Sequence, residues 1–261
     1  MVIGRFRACN ATGNEMKRNL RATLKSTIGL LAVASGAYAG YVGVTWLRYG
    51  HPTLPSPDDA DPLLDRFMPA YDVAERHHIN IAAPSDVTFA AACEQDLMAL
   101  PLARAIFKAR EVLLGSERDM TGRPHGLVAF TKSIGWGVLA EIPGREIVMG
   151  AVTQPWRADV VFKSLPPREF VQFDEPDYVK IAWTLRADTS DATTSIFRTE
   201  TRARATDATA RFKFRRYWAF LSPGIILIRW AALKPLRMEA ERRARSDFRV
   251  TLSARTTADR P

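Results

Sequence analysis

The chain has 261 residues, of which 47% are hydrophobic and 25% charged, so it can bury one sizeable core and is neither disordered nor collagen-like. Its two cysteines, Cys9 and Cys93, are too few for a disulfide framework or a four-cysteine zinc site. One folded domain with an appendage is the simplest organisation for this length.

The net charge of +9 is unevenly distributed along the chain. Residues 1–50 carry seven Lys/Arg and one acid, residues 51–201 carry fifteen against twenty-two acids, and residues 202–261 carry fifteen against five. A nucleic-acid-binding domain spreads positive charge over its folded surface. Because the middle of this chain is acidic, we expect no nucleic-acid partner.

Residues 26–47 form a run of twenty-two residues without a charge. At about 1.5 Å of rise per residue, such a helix crosses roughly 30 Å of hydrocarbon, which predicts a transmembrane helix or signal anchor over 26–48. Basic residues precede it within segment 1–25 and only Arg48 follows closely, so the N-terminus is predicted in the cytoplasm and the domain on the extracytoplasmic side, in a single-pass topology. Two alternatives stay open: a signal peptide cleaved near Ala39, giving a secreted protein, and a buried helix.

Residues 49–69 are predicted to be a proline-rich linker. Five prolines fall between positions 51 and 69, and this density disfavours both helix and sheet. A folded domain is expected over 70–246, and residues 247–261 are expected to be a flexible tail.

The domain is predicted to begin with one strand and two helices and to continue as an antiparallel meander. Alternation of apolar residues predicts a strand over 74–82, and helical spacing predicts helices over 87–100 and 102–114. Short apolar runs between turn residues predict strands over 127–134, 136–142, 145–153, 169–174, 178–187 and 195–206. Within 178–187, apolar residues such as Trp183 alternate with polar ones such as Lys180, which predicts a sheet with one buried face.

A long amphipathic helix is predicted at the C-terminal end of the domain. Large apolar residues recur at spacings of three and four from Phe214 to Leu236, with a kink or restart near Ser222-Pro223-Gly224. Arg229 and Pro223 interrupt its apolar part too much for a second membrane span. One helix cannot fill the concave face of six strands, so we expect an α+β fold with a cavity between the curved sheet and this helix.

Two parts of the sequence resemble the START-like (SRPBCC) superfamily, over about 70–245. One is His78-Ile79-Asn80-Ile81-Ala82-Ala83-Pro84 with Asp86-Val87; the other comprises Thr199-Glu200-Thr201-Arg202, Thr206-Asp207, Phe214-Arg215-Arg216-Tyr217-Trp218 and Pro223-Gly224-Ile225-Ile226-Leu227-Ile228-Arg229. The second part resembles a subgroup of uncharacterised bacterial, membrane-tethered proteins. The resemblance implies a helix-grip fold that holds an apolar ligand, such as a lipid, sterol, polyketide or aromatic compound. Some members of the superfamily are polyketide cyclases or dehydratases, and others only carry or sense a ligand.

Large apolar side chains of the domain are the candidate ligand-binding residues. A site for a hydrophobic molecule is mostly apolar with a few placed polar groups, although each ring is also suited to ordinary core packing. The candidates are Trp136, Trp156, Phe173, Trp183, Phe197, Tyr217, Trp218 and Leu221, with Phe162 as a further large ring.

Glu200 and His77 are the two candidate acid/base residues. Glu200 shares a strand face with Arg202, which favours an ion pair tying the last strand to the helix over a buried acid or base. His77 shares a face with Ile79 and would look into the cavity, or would be a structural histidine. His77 and His78 point to opposite faces, and the phosphate-loop, zinc-hydrolase and serine-hydrolase motifs are absent from the sequence, so we expect neither metal nor cofactor.

Three functions remain open on the sequence alone, and a non-enzymatic one is favoured. The first is a membrane-tethered module that binds a hydrophobic small molecule or lipid. The second is a cyclase- or dehydratase-like enzyme that uses Glu200 or His77. The third is an interaction domain with a collapsed cavity, docking on anionic lipid headgroups through its basic C-terminal residues. Those residues are Arg211, Lys213, Arg215, Arg216, Arg237, Arg242, Arg243, Arg245 and Arg249.

Overall fold

The computed structural model describes residues 5–115, 122 and 124–258. The chain divides into two compact units, Met1–Leu47 and Arg48–Pro261. Helix α1 runs over Arg5–Arg48. Two stretches of the described chain are long and apolar enough to cross a membrane, Lys25–Arg48 and Ala208–Asp247. Signal sequences and core helices meet the same criterion, so the predicted anchor and its orientation stay predictions.

The second unit is an α+β domain built on an antiparallel sheet. Its strands are β1 (Val73–Ile81), β2 (Gly137–Ile142), β3 (Glu146–Thr153), β4 (Phe162–Lys163), β5 (Val179–Thr189) and β6 (Ser195–Ala205). Its helices are α2 (Pro62–Asp65), α3 (Ser85–Glu94), α4 (Pro101–Leu114), α5 (Leu127–Ser133), α6 (Pro167–Gln172) and α7 (Ala208–Ala258). The strand order is β1-β6-β5-β3-β2, with β4 paired to β3. The predicted α+β class with a long C-terminal helix is confirmed, and the arrangement is compatible with a helix-grip fold.

One face of the sheet, which we call the inner face, packs against α3 and α7. Trp183 and Leu185 of β5 belong to a core cluster that also contains Phe89 of α3 and Leu236 of α7. A second cluster lies where Phe214 and Trp218 of α7 meet the sheet, together with Val73, Val179 and Ala203. Helix α7 therefore contacts the sheet in two places, near Phe214 and Trp218 and again near Leu236.

The opposite face, the outer face, is also buried. Leu64 and Met68, from the predicted linker, pack with Phe170 of α6 on Ala182 of β5 and its neighbours. Leu64 and Phe170 are both completely buried. The sheet is thus covered on both sides, unlike the one-sided sheet that the alternation predicted, because the proline-rich segment folds onto it.

Polar side chains on the outer face are buried as a result. Lys180 donates from Nζ to the carbonyl of Val171 at 2.8 Å, and Arg186 donates from Nη1 to the carbonyl of Ala60 at 2.8 Å. Prolines of the predicted linker serve as first residues of short helical turns, at Pro57 and Pro62. Proline suits that position because the missing N–H has no helical partner there.

Two predicted strands are helices in the structure. Residues 127–134 were expected to be extended but form α5, and 169–174 overlap α6. The apolar residues Leu127, Val128 and Phe130 also fit helical spacing. A run this short is compatible with both the helical repeat of 3.6 residues and the strand repeat of two. Pro167 pre-sets the first turn of α6. The short strand β4 had no sequence signal.

Helix α7 is longer and less interrupted than predicted. It contains Pro223 and Pro235 within one continuous helix and reaches Ala258. It therefore extends through most of the predicted flexible tail, of which residues 259–261 lie outside the described residues. Since one side of α7 packs on the sheet, we treat it as part of the domain and not as a membrane span.

Candidate functional site

The space in which a ligand cavity was predicted is occupied by core side chains. Between the sheet and α7, Leu233, Leu236 and Ala240 pack on Ile81 and Phe197 in one continuous cluster. A small cavity lies between the segment after α3 and α5, near Leu97 and Phe130. Its volume is about 110 Å3. That is below the several hundred Å3 that a lipid-sized ligand requires, so this cavity does not enclose such a ligand.

The candidate ligand-binding residues are divided among three clusters instead of lining one space. Trp136, Trp183 and Phe197 belong to the cluster near α3, where the ring centroids of Trp136 and Trp183 are 6.1 Å apart and Phe162 lies 5.0 Å from Trp136. A second group is Trp156, Tyr217 and Trp218, near the start of α7. Phe173 lies on the outer face beside Tyr178. Leu221 is half-buried in α7.

Glu200 lies on the outer face, in a buried ion-pair network. Its Oε1 is 2.7 Å from Nη2 of Arg76 and 2.7 Å from Nε of Arg202. Arg202 also donates to Asp65 of α2 and, at 2.9 Å, to the carbonyl of Met68. The expected ion pair is present, but it ties β6 to β1 and to the α2 segment and not to α7. A carboxylate held by two arginines on the far side of the sheet from α7 does not suit acid/base work in the interior.

A group of polar residues lies on the inner face, where α7 crosses β1 and β6. Thr201 is paired with Glu75 on one side and Trp183 on the other, and Thr199 is paired with His77. Directly opposed residues share a face, which places all of these on the side of α7. Arg229 reaches down from α7 and donates to Oγ1 of Thr199 at 3.5 Å and to Oγ1 of Thr201.

We call this group the polar cluster: Glu75, His77, Thr199, Thr201 and Arg229. All five are half-buried, and β1 is an edge strand, so the cluster is open to solvent along that edge. Burial lowers the pKa of Arg229 to about 10, although the charges of Glu75 and Glu200 act to raise it. Arg229 is therefore still cationic at neutral pH.

His77 is the member of the cluster with unsatisfied hydrogen-bonding capacity. Its Nε2 atom is buried and has no hydrogen-bond partner within the described chain. Its ring contacts Trp230 edge to face, with centroids 5.6 Å apart. Burial, then Arg229 and then His78, lower its pKa to about 4, so the imidazole is neutral at pH 7. Of the two candidate acid/base residues, only His77 lies between the sheet and α7.

Glu75 is the carboxyl group of the polar cluster. Burial raises its pKa, while Arg229 and Arg76 act in the opposite direction. Sequence reasoning missed Glu75, Thr199, Thr201 and Arg229 as site residues. Alternation along β1 places Glu75 on the same strand face as His77, so the sequence pattern was sufficient to identify Glu75. The approach of Arg229 was not predictable in this way, because it depends on where α7 crosses the sheet.

Most of the basic residues expected to face lipid headgroups are engaged in ion pairs. Arg211 pairs with Asp72 at 2.8 Å and Lys213 with Asp177 at 2.6 Å. Nearer the C-terminus the pairs are Arg237 with Glu241, Arg242 with Glu239, and Arg243 with Glu94 and Glu239. The side chain of Arg249 lies outside the described residues. Among the described residues, no three His, Cys, Asp or Glu side chains come together as a metal site.

No family model matches the chain, and no curated protein matches it. Among solved structures, the crystal structure of the Zhui aromatase/cyclase from Streptomyces sp. R1128 is similar at 16% sequence identity and a TM-score of 0.26. The similarity covers 65% of this chain and 94% of that chain. A TM-score of 0.26 does not establish a shared fold, so membership of the START-like superfamily stays a prediction.

Proposed function

We propose that the domain is a non-enzymatic binding module for an apolar small molecule that carries a neutral oxygen group, such as a ketone, ester or alcohol. The observation that carries this proposal is the buried, unpartnered Nε2 of His77 next to Arg229. A buried polar atom without a partner is costly, and a ligand oxygen or hydroxyl group reaching it would remove that cost.

The charges of the polar cluster favour a neutral head group over a carboxylate. The cluster contains one cation, Arg229, one carboxyl group, Glu75, and a neutral imidazole, His77. A ligand carboxylate placed there would be repelled by Glu75. A guanidinium has five N–H donors, and Arg229 directs two of its nitrogens at threonines, so donors are left for a ligand carbonyl.

The apolar part of the ligand would lie along the edge of the sheet. Trp230, which is 63% exposed, stands beside His77, and the half-buried Ile79 follows two residues later on the same strand face. Because the interior behind the cluster is packed, the ligand would bind in a half-open site and not in an enclosed cavity. This revises the cavity that the sequence predicted.

The proposal is tested by comparing three probes with the same number of carbons: decyl methyl ketone, dodecanoic acid and dodecane. Binding to the full chain in detergent is measured by intrinsic tryptophan emission and by native mass spectrometry. We expect the ketone to bind more tightly than the acid or the alkane. Arg229→Gln should remove the preference for the ketone over dodecane.

Arg204→Gln is the matched control, because Arg204 is exposed on the same strand that carries Thr199 and Thr201. It should bind the ketone as the wild type does. Equal binding of all three probes to the wild type, or an equal loss in both arginine variants, would contradict the proposed site.

We propose in addition that α1 tethers this module to a membrane. The uncharged run over 26–47 and the basic residues before it support a single-pass anchor with a cytoplasmic N-terminus. The mass of the mature chain distinguishes this from cleavage near Ala39, which would remove the first 39 residues. Protease protection in sealed membrane vesicles tests the orientation. Digestion of the domain only by protease added on the cytoplasmic side would overturn the proposed orientation.

A further inference from the structure

One side of α7 carries exposed apolar and basic residues, of which the proposed ligand site uses only Trp230. Phe212, Phe220, Leu227, Trp230 and Met238 are between 47% and 63% exposed. Together with Arg216, Pro223 and Lys234, they follow one another along α7 in steps of three and four residues. That spacing places them on one face of a helix. We call this set the α7 stripe; it runs for about 39 Å, at about 1.5 Å per residue.

The α7 stripe is largely apolar, whereas the solvent-facing side of an ordinary surface helix is polar. A surface helix buries its apolar stripe and shows a polar one. Helix α7 buries Phe214, Trp218, Leu233 and Leu236 on the sheet, yet it exposes large apolar side chains on its other side as well. An apolar patch of this extent on a folded domain marks a contact surface.

The charges within the α7 stripe indicate what that surface contacts. Arg216 and Lys234 are exposed, and neither has an ion-pair partner among the described residues. The neighbouring acid, Glu241, is paired with Arg237 at 2.9 Å. The basic residues of α7 that lie off the stripe are largely neutralised by pairs, whereas those between the exposed rings are not. Aromatic and aliphatic side chains interleaved with unpaired Lys/Arg are the composition of a helix that lies in a membrane interface.

We infer that the α7 stripe docks on the surface of an anionic lipid bilayer. The apolar side chains enter the boundary between headgroups and acyl chains, and Arg216 and Lys234 contact lipid phosphates. The chain supplies a second reason to choose a bilayer: its other long uncharged segment, 26–47, has the length of a membrane span. Segment 26–47 and the α7 stripe are both suited to contact a bilayer, so one partner accounts for both.

The experiment measures lipid contact at one position of the stripe in the full chain. In a Cys9→Ser/Cys93→Ser background, Leu227→Cys is labelled with bimane, and the chain is reconstituted into vesicles that contain nitroxide-labelled lipid. Val161→Cys is the matched control, because Val161 is 73% exposed on a loop far from α7 in sequence. We expect bimane at position 227 to be quenched several-fold more than at 161 in vesicles containing phosphatidylglycerol, and less in vesicles of phosphatidylcholine alone.

Charge reversal tests the basic part of the inference. Arg216→Glu/Lys234→Glu should lower the ratio of docked to undocked domain by about twenty-five-fold or more, because each basic residue near an anionic surface contributes roughly a fivefold factor. Far-ultraviolet circular dichroism of the same sample confirms that α7 stays folded.

Two results would overturn the inference. One is equal quenching at positions 227 and 161 in the anionic vesicles, or no association of the chain with them. The other is efficient disulfide cross-linking between two chains at 227, independent of lipid charge, which would assign the α7 stripe to a second copy of the protein.

Discussion

Glu146 of β3 and Asp61, which precedes α2, are neighbouring carboxyl groups on the buried outer face of the sheet, and Oε1 of Glu146 has no hydrogen-bond partner within the described chain. Both are almost completely buried, at 4% and 3% exposed. Asp61 also accepts from the backbone N–H of Leu64 at 2.8 Å and so caps α2. Burial, and after it the charge of Asp61, raises the pKa of Glu146 to about 8, while Arg186 and Arg145 oppose the rise. The raised pKa favours protonated Glu146 at neutral pH, which removes the repulsion that two ionised carboxylates would exert between the α2 segment and the sheet.

The first prediction is a pH-dependent attachment of the α2 segment. The folded pKa of Glu146, about 8, lies above its ordinary value of 4.5, so its contribution to stability is complete below pH 4.5 and is lost as the pH rises through 8. Hydrogen exchange at the amides of 61–68 should therefore become faster over this range. Urea unfolding of the full chain in detergent should show a loss of a few kcal/mol relative to the Glu146→Gln variant.

Glu146→Gln isolates the titration, because glutamine keeps the shape of the side chain and does not ionise. The wild type should lose stability relative to Glu146→Gln as the pH rises from 4.5 to 8. Glu169→Gln is the control, since Glu169 is exposed on α6. A difference in stability between the wild type and Glu146→Gln that stays constant from pH 5 to pH 8 would show that Glu146 is ionised in the fold.

The second prediction concerns the buried guanidinium of Arg202. Arg202→Met leaves Glu200 and Asp65 without this partner, and breaking a buried ion pair from one side costs about 3–5 kcal/mol. Arg204→Met, two residues later on the same strand face but exposed near the end of β6, should change stability by no more than about 0.5 kcal/mol. Chemical denaturation of both variants checks the difference. Similar losses in the two variants would mean that the network contributes little.

The third prediction is a shifted titration of His77. Nuclear magnetic resonance of its ring carbons should give a pKa near 4, below the ordinary 6.5, because burial and the charge of Arg229 both disfavour the imidazolium. The domain should accordingly lose stability as the pH falls from 6.5 to about 4. Arg229→Gln should move the pKa of His77 upward, and Arg204→Gln should leave it in place. A titration near 6.5 in the wild type would place His77 in water.

The fourth prediction tests the packing beside Trp136. Gly135 has a φ of +104°, and a Cβ at this position would collide with the carbonyl oxygen of Phe162. Gly135→Ala should therefore lower stability by about 3 kcal/mol or more. Gly115 also has a positive φ, +68°, but nothing lies within 4 Å of its Cβ position, so Gly115→Ala should cost only about 1 kcal/mol. Thermal unfolding of the two variants gives the comparison.

The sequence was sufficient to predict the elements with long, regular patterns. Strand β1, the β2–β3 hairpin, β5, β6 and helix α7 all follow from periodicity and turn residues. Helices α5 and α6 did not, because six or seven residues contain too few repeats to separate helical from extended spacing. The covering of the outer face could not be foreseen either, since prolines indicate an extended chain but do not specify where that chain packs.

The site was predicted less well, for a reason that lies in long-range geometry. Alternation along one strand fixes the face of each side chain, so the sequence could place His77 on the same face as Ile79. The proximity of Arg229 and Thr201 depends on how α7 crosses the sheet, which no local pattern encodes. The same limit applies to Glu200. Alternation placed it correctly on the same strand face as Arg202. Its pairing with Arg76 and Arg202, and the side of the sheet on which the three residues lie, are known only from the folded structure.

The packing of α2 on the sheet restricts where the chain can be cut without losing its fold. A fragment that starts at residue 70 lacks Leu64 and Met68 and leaves the outer-face side chains of Val148 and Val152 in water. Such a fragment would aggregate through this newly bared surface. Tyr49 is buried in the domain as well, at 6% exposed. A cut that separates the intact domain from α1 therefore has to lie upstream of Tyr49.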